Sequence, residues 1–367
     1  MRIEGQHTQS IWYDHELDAV KIVDQTRLPH GFEIVDLLSL EDACAAISTM
    51  QVRGAPLIGV AAAYGVYLGL REDAGDLDWI IGQLAATRPT AVNLSWALNR
   101  CQQQLSAFNG VERVLKALEF AQLLEKEDIA VCEGIGEQGA ALLAALWDKK
   151  QGRQDRLNVL THCNAGSLAT VDWGTALAVI YKAAERGIPV HVWVDETRPR
   201  NQGASITCWE LAQQEIPHTL IVDNAGGHLM QHGKVDAVLV GADRTTATGD
   251  VCNKIGTYLK ALAAQDNNIP FYVAFPVSTF DLSLQDGLRE IPIEERDADE
   301  ILWVPGIAEE GNPASATCVR IAPSGTQASN YGFDVTPARL VSALITEIGV
   351  CEANAESIAA LMKNRQA

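Results

Sequence analysis

The sequence predicts an α/β protein in two parts: a mainly helical domain with a short β element over residues 1–150, then a domain built on a parallel sheet over residues 151–367. Three observations predict it. Apolar residues recur at helical spacing through residues 40–147. The polar run DKKQGRQDR, residues 148–156, then breaks that texture as a linker would. Beyond it, short apolar runs rich in β-branched residues alternate with helical segments, the rhythm of βαβ units around a parallel sheet.

Taken in order, residues 11–28 alternate β-branched and polar residues around an acidic break at 14–18 and read as a small hairpin. Helical spacing follows over 40–50, 55–70, 77–86, 91–108 and 111–147. The most apolar stretch, 57–70, carries Gly59, Gly65 and Gly69 between Arg53 and Arg71. It falls short of the roughly 20 residues that span a bilayer and reads as a tightly packed buried helix. Strands are expected at 157–161, 190–194, 219–222, 237–240 and 271–275. In such sheets ligands bind beyond the carboxyl ends of the strands. The residues there read THCNAG (161–166), DETRPR (195–200), DNAGGH (223–228) and GADR (241–244), nearly all polar or glycine.

Composition narrows the function. At 367 residues, with 47% hydrophobic and 20% charged residues, the chain is that of a globular protein with a sizeable core. Its net charge of −19 repels polyanions from the surface at large, which excludes a general nucleic-acid binder. An anionic ligand then needs a local site that gathers cations and backbone N–H groups. The eight cysteines form no CxxC pair and no cluster with histidine, so neither a disulfide framework nor a metal site is expected. With no charged-then-apolar leader in residues 1–13, the expected compartment is the cytoplasm, with no membrane partner.

Each motif carries a functional and a plain reading. Gly134-Ile135-Gly136-Glu137-Gln138-Gly139 matches a dinucleotide fingerprint but follows a polar helical stretch rather than a strand, so these glycines are expected to serve close helix packing. Cys163 ends a strand, and the amides of Asn164, Ala165 and Gly166 after it suit an anion or a reactive thiol; the plain reading is a small buried hydrophobe. Asp243 leaves an apolar strand end where desolvation would raise its pKa and make it a proton donor; otherwise it is an N-cap or a partner of Arg244. Asn253 and Lys254 are expected to open a helix and offer an anion site, or to be solvated. Arg53-Gly54-Ala55-Pro56 precedes the glycine-rich helix with proline in its first turn, and Arg88-Pro89-Thr90 similarly precedes the next but one; each arginine grips a phosphate or forms an ordinary ion pair. Phosphate ligands, a thiol and a carboxyl without a metal cluster suit acid–base chemistry on a small phosphorylated substrate.

The segments Val52–Pro56, Arg88–Leu94, Thr161–Gly166, Glu196–Arg200, Gln202–Ala204, Gly241–Arg244 and Gly249–Tyr258 together resemble, in order, the methylthioribose-1-phosphate isomerase family of methionine salvage. The resemblance implies a helical domain joined to a Rossmann-like domain, a homodimer, and an aldose–ketose isomerase without a cofactor acting on 5-methylthioribose 1-phosphate. It implies Cys163 and Asp243 as the catalytic pair, with Arg53, Gly54, Ala55, Arg88, Gln202, Asn253 and Lys254 as substrate ligands. Two relatives of the same fold offer other readings: ribose-1,5-bisphosphate isomerase, and a non-catalytic regulatory subunit of the translation-initiation guanine nucleotide exchange factor.

Overall fold

The computed structural model describes residues 1–89, 91–150, 152–307 and 317–364; Thr90 of the second motif lies outside them. Three antiparallel strands, Ile11–Asp14, Ala19–Val23 and Ile34–Leu37, form the β element, one strand more than the expected hairpin. Five helices follow: Leu40–Ser48, Ala55–Glu72, Leu77–Thr87, Val92–Leu105 and Gly110–Lys150. The first starts where Ser39 and Asp42 form a reciprocal capping box. Every residue from 57 to 70 is buried, so the second is the central helix of the first core, as its composition predicts.

Gly110–Lys150 serves two cores. Its early residues Ala117, Phe120, Ala121 and Leu124 complete the helical core, while Ile135, Ala140 and Leu143 pack onto the sheet beyond. By length and composition this helix could cross a membrane; here it is the shared wall of two packed layers. The fingerprint glycines lie within it, with Gly136 and Gly139 against Ala178 and Val179 of the helix Ala176–Glu185.

The main sheet has seven strands, ordered Gly349–Cys351, Ala343–Thr346, Phe271–Ala274, Ala237–Val240, Leu157–Thr161, Val190–Asp195 and His218–Ile221. All neighbours are parallel except the edge strand Gly349–Cys351. With the parallel strands numbered along the chain, the spatial order is 3-2-1-4-5-6, the doubly wound arrangement whose ligand crevice opens where the order reverses. That switch point lies between Leu157–Thr161 and Ala237–Val240, the strands that lead into Cys163 and Asp243.

A second sheet, ordered Phe280–Asp281, Arg244–Thr246, Val251–Lys254 and Phe333–Thr336, stands beside the crevice. It corrects one expectation. Asn253 and Lys254 do not open a helix; they pair with Asp334 and Phe333 in a strand, and the helix Thr257–Asp266 begins three residues later, after Gly256. The apolar–polar pattern around Val251 was too short to separate the two.

Candidate active site

One cavity of about 90 Å³ gathers all nine residues singled out from the sequence: Arg53, Gly54, Ala55, Arg88, Cys163, Gln202, Asp243, Asn253 and Lys254. Its floor is the ends of the strands Leu157–Thr161, Val190–Asp195, Ala237–Val240 and Phe271–Ala274. One wall is the start of the helix Ala55–Glu72 and the other is the second sheet. The loop 223–228 contributes no lining residue. Asp223 instead accepts the backbone N–H groups of Thr197 at 2.7 Å and Arg198 at 2.8 Å, bracing the loop that carries Arg200 and Gln202.

Gly54 caps the helix with φ of +101°, and a Cβ there would lie 2.4 Å from the Ala169 carbonyl oxygen. Only glycine lets the chain make this close turn. No side chain caps the first turn, so its amides and the positive helix end face the cavity. Arg53, just before them, is buried. Its Nε donates to Gln25 Oε1 at 3.1 Å, Nη1 to the Asn164 carbonyl at 3.0 Å, and Nη2 to Asn164 Oδ1. Three of its five N–H groups are thus anchored by protein, and the residue lines the cavity. Arg88 donates to Glu294 at 3.1 Å, the ordinary ion pair, and also lines the cavity.

Cys163 adopts φ of +67°, a left-handed conformation uncommon outside glycine and asparagine. Two hydrogen bonds hold it there: its N–H donates to Thr197 Oγ1 at 2.8 Å, and its carbonyl accepts from Thr207 Oγ1 at 2.7 Å. Burial pushes its thiol above the ordinary value, Lys254 and Arg53 pull it back, and Asp243 raises it further. Burial likewise raises the Asp243 carboxyl, against the pull of Lys254, Arg88 and Arg53. The Asp243 N–H donates to the Cys252 carbonyl at 2.9 Å, and the residue leads into a strand rather than a helix, so the N-cap reading falls. Arg244 pairs with Asp281 at 3.5 Å.

His162 ties the two sides together. Its Nε2 donates to the Ile255 carbonyl at 2.7 Å, one residue beyond Lys254, and its Nδ1 lies 2.9 Å from Asp195 Oδ2. Lys260 Nζ stands 3.2 Å from that same oxygen, and the half-buried Asp223 lies beside this cluster. Lys254 Nζ lies 4.9 Å from the Phe333 ring centre. Gln202 is buried and lines the cavity, and its Oε1 has no hydrogen-bond partner among the described residues.

Several lining residues were missed. Arg200 stands in the DETRPR string but carried no assigned role, and Arg296 and Phe333 come from segments without a motif. Glu300 holds Arg200 at 2.9 Å and Arg296 at 2.8 Å. Burial alone would raise its carboxyl; these two arginines instead lower it to about 2.

The initiation factor 2 subunit family model matches residues 51–353, which contain both strand-end loops and the helix start that make the cavity. The chain belongs to this family. A methylthioribose-1-phosphate isomerase from Methylorubrum populi is 57% identical, over 100% of this chain and 99% of that one. The crystal structure of 5-methylthioribose 1-phosphate isomerase from Pyrococcus horikoshii OT3 is 35% identical with a TM-score of 0.81, covering 98% of this chain and 96% of that one. The translation initiation factor eIF-2B, subunit delta, from A. fulgidus is 40% identical with a TM-score of 0.78, covering 97% and 100%. Proteins of two different names, an isomerase and a translation initiation factor subunit, are thus similar to this chain over nearly its whole length.

Proposed function

We infer that the chain is an aldose–ketose isomerase that converts 5-methylthioribose 1-phosphate to 5-methylthioribulose 1-phosphate, the reaction of methionine salvage. The observation that carries this reading is a thiol and a carboxyl, Cys163 and Asp243, flanking the switch point of the sheet in a cavity ringed by cations. Full-length relatives bearing the isomerase name support it. The helix start at Gly54–Ala55, which no side chain caps, together with Arg53, Arg88 and Lys254, suits the phosphate.

The chemistry follows from the substrate. A sugar phosphorylated on its anomeric oxygen has no free aldehyde, so its ring must open by protonation of the ring oxygen. Asp243 is the acid for that step: burial raises its carboxyl and so favours the protonated form. The C1–O bond to the ring then breaks and leaves a phosphorylated cation at C1. Hydrogen moves from C2 to C1 with its electron pair, and the proton of the C2 hydroxyl returns to the Asp243 carboxylate as the ketone forms. Cys163 stands beside this transfer. Burial keeps its thiol protonated, which suits a polarizable neighbour of the cation better than a base removing the C2 proton.

The cytoplasm and a homodimer belong to the same reading, and eight free thiols support reducing surroundings. The test is turnover in heavy water. A direct shift predicts ketose with no solvent deuterium at C1, whereas substantial deuterium there counts against that shift and favours proton removal by a base. Turnover of ribose 1,5-bisphosphate in preference would replace the substrate, and binding without turnover of either would favour the regulatory-subunit reading.

A further inference from the structure

Glu210, in the helix Cys208–Gln213, is only 1% exposed and does not line the cavity. Its carboxylate meets donors alone. Oε2 accepts from Ser167 N–H at 2.7 Å and Tyr181 OH at 3.3 Å, and Oε1 accepts from Leu168 N–H at 3.1 Å and Asn164 Nδ2 at 2.9 Å. A backbone N–H can only donate, so both oxygens act as acceptors. Such a concentration of buried charge is costly and needs a return.

Asn164 is the link to the cavity. Its Nδ2 donates to Glu210 and to Thr207 Oγ1 at 3.1 Å, while its Oδ1 and its backbone carbonyl both accept from Arg53. Turning the amide over would set its oxygen against the carboxylate and its NH2 against a guanidinium that has no acceptor. Glu210 therefore decides which way Asn164 faces, and Asn164 decides where Arg53 points. Among the described residues Arg53 makes no direct ion pair with a carboxylate, so its charge is balanced at one remove. A direct pair would consume the donors that an anionic ligand needs.

We propose that Glu210 is a positioning residue for Arg53: through Asn164 it holds the guanidinium with its remaining N–H groups toward the substrate phosphate, and it supplies the counter-charge without competing for them. This rests on the reading of the cavity as a phosphate site. Glu210→Gln places an NH2 where backbone N–H groups or the Asn164 amide already point, and relief comes by turning Asn164 away from Arg53.

The experiment measures KM and kcat for 5-methylthioribose 1-phosphate, and Kd for inorganic phosphate by calorimetry, in wild type, Glu210→Gln, Tyr181→Phe and Arg53→Ala, alone and with Glu210→Gln. Loss of a hydrogen bond to a charged group predicts a rise in KM and in Kd of about tenfold or more in Glu210→Gln, with kcat changed less. Tyr181→Phe, which removes another bond to the same carboxylate, stays near wild type. In the Arg53→Ala background Glu210→Gln adds nothing further. An equal rise in both backgrounds, or unchanged phosphate affinity in folded Glu210→Gln protein, overturns the proposal. Should Glu210→Gln fail to fold, Asn164→Ala cuts the same link and is held to the same outcomes. Wild-type protein that binds phosphate without isomerising the substrate would remove the proposed reaction, and the phosphate titration would still decide the role of Glu210.

Discussion

Cys163 and Asp243 sit in surroundings that disfavour their charged forms, and three cations partly offset this. Asp243→Asn keeps the shape of the side chain and removes the acid, so turnover falls by about 100-fold or more. Cys163→Ser, nearly the same size, loses the polarizable sulfur and is expected to be as inactive. Circular dichroism on both variants checks that the fold survives. The pH dependence has a definite sign. The acid works when protonated, so kcat falls as pH rises through the raised Asp243 pKa, and a rate that climbs through neutrality would contradict the role. A carboxyl whose pKa is raised on folding favours the fold at low pH and costs stability once ionised. Asp243→Asn should therefore raise Tm at neutral pH while abolishing activity, the trade expected of an active-site group. The residues alone left both open between a functional and a plain reading, and the family resemblance singled them out as a pair; the structure brings both to one cavity. Glu210, Glu294, Arg296 and Glu300 were not legible in the sequence, because each reaches the site or its supports from a distant segment with no local pattern.

At the scale of elements, the helices were legible where periodicity ran long. The expected spans 55–70 and 111–147 became Ala55–Glu72 and Gly110–Lys150, and the strands at 157–161 and 237–240 match their expected bounds. The stretch around Asn253 and Lys254 did not follow its expectation. Val251–Lys254 is a buried strand that forms a hairpin with Arg244–Thr246, and its other neighbour, Phe333–Thr336, is brought in by tertiary pairing from far along the chain. Helix contact makes a paired prediction from two glycines. A Cβ at Gly139 would lie 2.3 Å from Val179 Cγ2, whereas one at Gly82, in the helix Leu77–Thr87, would meet nothing within 4 Å. Gly139→Ala should destabilise by about 1–3 kcal/mol through overpacking, despite its better helix propensity. Gly82→Ala should stabilise by about 0.5–1 kcal/mol. Chemical denaturation of both variants reads the difference, and equal effects would mean that the long helix does not meet Ala176–Glu185 so closely.

Across the whole molecule, a net charge of −19 coexists with a cavity lined by Arg53, Arg88, Arg200, Lys254 and Arg296. Carboxylates hold three of these arginines at the rim, through Glu294 and Glu300, while Arg53 and Lys254 remain the inner cations. The doubly wound sheet places the thiol and the carboxyl on either side of its switch point, and the helical part closes the cavity from above with one glycine turn. The most direct test of this account is carbon NMR of the purified chain mixed with 5-methylthioribose 1-phosphate, with no nucleotide or metal added. Appearance of a C2 ketone resonance, absent with Asp243→Asn, is the result the account predicts. Folded protein that leaves the sugar phosphate unchanged would contradict it.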